Sequence, residues 1–96
     1  MSPANLGVSQ LWSAKDPEVV KRELHNRLPR KATVSDVKAL SEAQNIECSE
    51  MISGVIRCSM PAPSELAFVR AKWLIEFFFE ANELTNIEVK KGLIGP

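Results

Sequence analysis

One histidine and two cysteines are the side chains of this sequence with the widest chemical use. His25 is the only histidine, and Cys48 and Cys58 are the only cysteines. The cysteines are not spaced as C-x-x-C, and a single histidine cannot complete a four-ligand zinc site with them. His25 lies between Arg22 and Arg27, off the apolar side of its segment, which is typical of a solvated surface residue. We therefore expect no thioredoxin-type site, no metal site and no catalytic residue.

The two cysteines have two interpretations, which depend on the compartment. In a reducing compartment they are small buried hydrophobes, as free cysteines often are. In an oxidising compartment Cys48 and Cys58 form a disulfide, and closing a loop of about 11 residues would stabilise the fold by about 3 kcal/mol. A hairpin that turns near Ser53 would bring the pair face to face on its apolar side, which makes it a candidate disulfide.

Composition excludes several other classes of function. The chain has 96 residues with 12 Lys+Arg against 12 Asp+Glu, and 45% of its residues are hydrophobic. This balance argues against a disordered tail and against a polybasic nucleic-acid module. The glycines never approach the spacing of a phosphate-binding loop; they are Gly7, Gly54, Gly92 and Gly95. We therefore expect no cofactor and no nucleic-acid partner.

Membrane and export signals are also absent from the sequence. The longest apolar cluster, residues 73–79, is interrupted by Glu76, so we expect no transmembrane segment. Residues 1–14 contain no basic residue, unlike the start of a secretory signal. We expect a cytoplasmic protein as the chain is written, or a periplasmic one if a leader had been removed.

Two helices are predicted after a flexible N-terminal arm of residues 1–15. Asp16-Pro17-Glu18 combines an N-cap residue, a proline at the first helical position and an acid in the first turn. Pro29 ends the first apolar run, and Thr33 and Asp36 then have the spacing of a capping box. The predicted helices are residues 17–28 and 34–44.

After Asn45 apolar and polar residues alternate, which indicates β-strands. The segment 65–83 has two interpretations, because polar residues spaced by four fit either a helix stripe or one side of a strand. Its aromatic density favours the strand, with Trp73, Ile75, Phe77 and Phe79 facing the core. The predicted strands are residues 46–49, 55–60, 70–80 and 84–91, and Pro61-Ala62-Pro63-Ser64 is expected to end the second one.

These elements predict a single α+β domain over residues 16–96. Two N-terminal helices pack on one face of an antiparallel three- to four-stranded meander sheet. The other face would then present Leu74 and Phe78 beside Lys72 and Glu76. An exposed apolar pair on an open sheet is a candidate contact patch, with Glu80, Glu88 and Lys90 completing its polar rim.

Two alternatives to an exposed patch remain open at the level of sequence. Leu11 and Trp12 of the arm could fold back and cover it, or the segment could be a helix. If replacing Leu74 and Phe78 left association unchanged in a folded chain, the arm with Leu11 and Trp12 would be the next candidate for protein contact.

Three segments together carry a family resemblance: Ala32-Thr33-Val34-Ser35-Asp36-Val37, Trp73-Leu74-Ile75-Glu76-Phe77-Phe78-Phe79 and Leu84-Thr85-Asn86-Ile87-Glu88-Val89. With the order of elements, they resemble the SmpA/OmlA (BamE-like) type of small bacterial envelope domain, whose fold is similar to that of beta-lactamase inhibitor proteins. The family's lipidated N-terminal cysteine has no counterpart before Cys48, so membrane anchoring is not implied.

The resemblance implies a binding scaffold instead of a catalyst. We expect a non-enzymatic protein-interaction module, with the bacterial cell envelope as one setting. Its partner would be another protein or a second copy of the chain, as a homodimer. The alternative is a small protein inhibitor or immunity-type partner of an enzyme or toxin.

Overall fold

The computed structural model describes residues 16–62 and 70–94. Two helices, α1 (Pro17–Arg27) and α2 (Val34–Gln44), precede the strands. The strands are β1 (Glu47–Cys48), β2 (Val55–Ala62), β3 (Arg70–Glu80) and β4 (Glu83–Ile94). The arm of residues 1–15, which includes Leu11 and Trp12, lies outside the described residues. Within the described ranges, neither helix has the length and apolar character to cross a bilayer.

Side chains fix the ends of both helices, as the sequence predicts. The Glu18 N–H donates to Asp16 Oδ1 at 2.9 Å, which caps α1. At the start of α2 the capping box is complete: the Thr33 N–H donates to Asp36 Oδ2 at 2.8 Å and the Asp36 N–H donates to Thr33 Oγ1 at 3.3 Å. Asn45 ends α2 in the left-handed conformation, with φ of 56°.

The strands form one antiparallel sheet in the order β1-β2-β3-β4. Ala81 and Asn82 join β3 to β4 with φ values of 51° and 64°, the positive pair that a two-residue hairpin turn needs. A register shift follows Phe78, so Phe79 pairs with Leu84 and leaves one extra residue in β4. The predicted α+β meander is therefore confirmed, and the helical alternative is wrong for residues 70–80.

We expected the second strand to end before Pro61, and this prediction is wrong. The strand continues to Ala62. The Arg57 carbonyl accepts from the Ser49 N–H at 2.9 Å, so this side of β2 faces β1. Backbone groups alternate along a strand, which directs the Pro61 nitrogen to the same side. Because β1 has only two residues, Pro61 faces no strand there, and its missing N–H breaks no pairing.

The core lies between the helices and one face of the sheet. Trp73, Ile75, Phe77 and Phe79 are all buried, as predicted. Val20 and Leu24 of α1 and Val37 of α2 belong to the same cluster of buried residues. Both helices therefore cover the same face, and the alternate residues of β3 point away from them.

The link between the helices is tied to the β3–β4 hairpin. The Leu84 N–H donates to the Ala32 carbonyl at 2.7 Å, and the Val34 N–H donates to Asn82 Oδ1 at 3.4 Å. Ala32 is itself buried. These contacts fix the position of the helix pair along the sheet.

Candidate protein-contact surfaces

The second face of the sheet, here called the open face, is not covered by either described helix. Six residues of β3 lie on it: Arg70, Lys72, Leu74, Glu76, Phe78 and Glu80. Leu74 is 45% exposed and Phe78 is half-buried. The structure therefore brings the four predicted β3 contact residues onto one face. The fifth candidate, Trp12, lies outside the described residues.

Short or polar neighbours surround Leu74 in the sheet. It pairs with Ser59 on β2 and with Lys90 on β4. Phe78 pairs with Val55 and Asn86, and Val55 is half-buried. Leu74 consequently has no apolar cross-strand partner, whereas Phe78 has one in Val55.

Charged groups of both signs border this apolar pair. Arg57 Nε lies 3.1 Å from Glu76 Oε2, across the β2–β3 pair. Glu88, which pairs with Glu76, accepts from Asn86 Nδ2 at 2.9 Å. The Arg57 side chain is 62% exposed, and ion pairs of this kind contribute at most about 1 kcal/mol to stability. The rim charges therefore act on how a partner approaches more than on how the chain folds.

The two cysteines are joined by a disulfide. Cys48 and Cys58 are directly paired in the β1–β2 register, as the predicted hairpin requires. The interpretation of both as free, buried hydrophobes is wrong. Cys58 is buried, but Cys48 is exposed because β1 is a short strand at the edge of the sheet.

The loop that this disulfide closes carries a second exposed apolar pair. Met51 is 46% exposed and Ile52 is 63% exposed. Both lie in residues 49–54, here called the hairpin tip, between β1 and β2. Sequence reasoning missed them because a connection has no hydrophobic period. The available signal was two consecutive apolar residues beside a Ser-Gly turn, where polar residues are usual.

A cleft of about 460 Å³ separates α2 from the hairpin tip. Val37, Ile46 and Ile56 form apolar parts of its lining. Two hydroxyls also line it, and both donate to carbonyl groups: Ser41 Oγ to Lys38 at 2.9 Å and Ser49 Oγ to Arg57 at 3.2 Å. The cleft thus has room for an apolar group, and these two hydroxyls are engaged by backbone carbonyls.

His25, the other side chain with versatile chemistry, is exposed on α1. It lines a different, smaller cavity of about 210 Å³, together with Leu28 and Leu84. Among residues 16–62 and 70–94, no group of three or more His, Cys, Asp or Glu side chains is arranged to hold a metal ion.

The chain matches no protein-family model, no curated protein and no solved structure.

Proposed function

We propose that this chain is a non-enzymatic protein-interaction module and that a partner protein docks on the open face. The observation that carries the proposal is the 45% exposure of Leu74 on the same sheet face as half-buried Phe78, with Glu76 between them on β3. Neither described helix packs against this pair, so the buried core gains little from Leu74.

The arrangement of the open face supports docking of a protein. Interfaces draw most of their affinity from a few apolar anchors near the centre, surrounded by polar residues that exclude water. Leu74 and Phe78 would be the anchors. The surrounding side chains provide both signs of charge, with Lys72 and Lys90 exposed and Arg57 paired with Glu76. Mixed charges of this kind select a complementary partner surface.

The polar groups described above support a module without catalysis. In the part of the chain that the structure describes, Ser41 and Ser49 line the cleft between α2 and the hairpin tip, and their hydroxyls donate to carbonyl oxygens. Nucleophilic catalysis needs such a hydroxyl next to a base. Both hydroxyls instead donate to backbone carbonyls, and His25 lines another cavity.

The disulfide supports an oxidising compartment for this module. Disulfides form and persist outside reducing cytosol, in secreted proteins and in the bacterial periplasm. A bond between Cys48 and Cys58 is consistent with the envelope setting that the family resemblance implies. The periplasm is accordingly the location that we favour over the cytoplasm.

The test replaces Leu74 by Ser and Phe78 by Thr in one variant. Leu93→Ser is the matched control, because Leu93 is 66% exposed and pairs with Ala71, whose side chain is on the core face. Sedimentation velocity over a range of concentrations measures self-association. Immobilised wild-type chain then captures proteins from an extract of the cells that make it, and the captured protein is identified, purified and titrated against each variant by calorimetry.

The expected result is that the double variant keeps its fold, shown by an unchanged circular dichroism spectrum, and binds about 100-fold more weakly. Leu93→Ser should bind as the wild type does. Self-association that the double variant abolishes would identify a second copy as the partner. A chain that neither self-associates nor binds a purified partner, or a double variant that binds normally, would overturn the proposal.

A further inference from the structure

The hairpin tip is held rigidly although its side chains are exposed. Ser53 and Gly54 form its turn with φ values of 53° and 79°, the positive pair of a type I′ hairpin turn. Ile52 and Val55 exchange backbone hydrogen bonds of 2.9 and 3.0 Å across the turn. The disulfide closes the base of the loop. The apolar pair is therefore displayed on a closed, hydrogen-bonded loop.

The hairpin tip is also attached to the centre of the sheet. The Phe79 N–H donates to the Gly54 carbonyl at 2.8 Å, and the Ser49 N–H donates to the Arg57 carbonyl at 2.9 Å. Loops that are already ordered lose little conformational entropy when they bind, which raises affinity without any added contact. Met51 and Ile52 are thus presented in the way that favours insertion into a preformed site.

The charges near the hairpin tip define the partner's surface. Residues 45–56 contain Glu47 and Glu50, both exposed, but no Lys or Arg. Helix α2 adds Glu42 and Lys38 to the cleft beside Met51, so the charge around the tip is acidic on balance. Arg57, the next residue along β2, is engaged by Glu76 at 3.1 Å. The exposed apolar side chains of Met51 and Ile52, bordered by acidic residues, are complementary to an apolar cleft with a basic rim.

We propose that the hairpin tip is a second protein-contact surface, which inserts Met51 and Ile52 into an apolar, basic-rimmed cleft of a partner protein. Ile52 pairs with Val55 next to the open face, but this inference depends on Met51 and Ile52 and not on Leu74 or Phe78, so separate variants test the two surfaces. A chain that fills such a cleft on an enzyme would block access to it, which is the action of a small protein inhibitor.

The test compares a Met51→Ser, Ile52→Ser double variant with wild type and with Leu93→Ser. Leu93 is as exposed as Ile52 but lies away from the hairpin tip, on β4. Protein captured on immobilised wild-type chain is identified, purified and titrated against each variant. Glu50→Lys is added to reverse the charge at the border. Circular dichroism and urea unfolding confirm that each variant is folded.

The tip double variant should bind about 100-fold more weakly, while Leu93→Ser binds as wild type does. Glu50→Lys should bind about tenfold more weakly at low salt, with the difference shrinking as salt increases. Normal binding by the tip double variant, or the absence of any purified partner, would overturn the inference. Loss of binding in the Leu74→Ser, Phe78→Thr variant alone would also overturn it and leave the open-face proposal intact.

Discussion

The Leu74 side chain lies diagonally over Gly92 of the neighbouring strand β4. A Cβ atom at Gly92 would lie 3.1 Å from Leu74 Cδ1 and 3.4 Å from its Cγ. Gly92 pairs directly with Lys72, so the contact with Leu74 is diagonal. The missing side chain at Gly92 therefore leaves space that Leu74 occupies on the open face.

We expect Gly92→Ala to change the open face without unfolding the protein. The new methyl group meets the end of a flexible, 45% exposed side chain, which can rotate away. Removing a strand glycine also restricts the unfolded chain, so the free energy of unfolding should fall by less than about 0.5 kcal/mol or rise slightly. Urea unfolding measures the stability, and partner titration should show weaker binding because Leu74 is displaced.

Gly54→Ala should behave in the opposite way. Its φ of +79° is unfavourable for a residue with a side chain, and an added Cβ would lie 2.9 Å from the Phe79 carbonyl oxygen. Backbone atoms of a central strand cannot move aside as Leu74 can. We expect a loss of about 1–3 kcal/mol in the free energy of unfolding. A urea midpoint equal to that of Gly92→Ala would contradict this view of the turn.

Adjacent phenylalanines on β3 should differ sharply in their effect on stability. Phe77 is 1% exposed in the core, whereas Phe78 is half-buried on the open face. Phe77→Ala should lower the free energy of unfolding by about 3–5 kcal/mol, a large part of the stability of a small domain. Phe78→Ala is the control and should cost clearly less. Equal urea midpoints for the two variants would mean that the assigned faces are wrong.

The disulfide should stabilise the chain mainly by restricting its unfolded state. For cysteines ten positions apart, the chain-entropy relation gives about 3 kcal/mol. Cys48→Ala with Cys58→Ala should remove this amount, and reduction of the wild type with dithiothreitol should have a similar effect. The double alanine variant should not respond to dithiothreitol, which separates loss of the bond from any other action of the reductant.

The capping box at the start of α2 offers a smaller, local test. Thr33→Ala removes the hydroxyl that accepts from the Asp36 N–H and should cost about 1 kcal/mol. Ser35→Ala, at an exposed position of the same turn, is the matched control and should change stability by less than about 0.5 kcal/mol. Thermal unfolding followed at a helical wavelength would measure both.

Local signals in the sequence predicted the elements well. Asp16, Thr33 and Asp36 act within a few residues of the helix ends that they cap, so their spacing was sufficient. The alternation of apolar and polar residues likewise predicted the bounds of β3, residues 70–80, and which side of that strand is buried. The extension of β2 past Pro61 could not be predicted, because it depends on β1 being too short to face the proline.

The contact surfaces were predictable only in part. Leu74 and Phe78 follow from strand alternation once both helices are assigned to the other face. The hairpin tip was missed, because the exposure of Ile52 follows from the turn geometry at Ser53 and Gly54 and not from any period. Whether Cys48 and Cys58 are bonded depends on their cross-strand register, which the spacing of the cysteines left undecided.

The hydrogen bond from the Leu84 N–H to the Ala32 carbonyl joins the helix link to the far end of the sheet. The Leu84 amide is protected from hydrogen exchange only while that link is docked, since its donor does not face β3. Its exchange rate therefore reports separation of the helices from an intact sheet. Slow exchange at the Ile75 amide combined with fast exchange at the Leu84 amide would reveal a partly opened state. In that state the core face of the β3–β4 hairpin is transiently exposed to solvent.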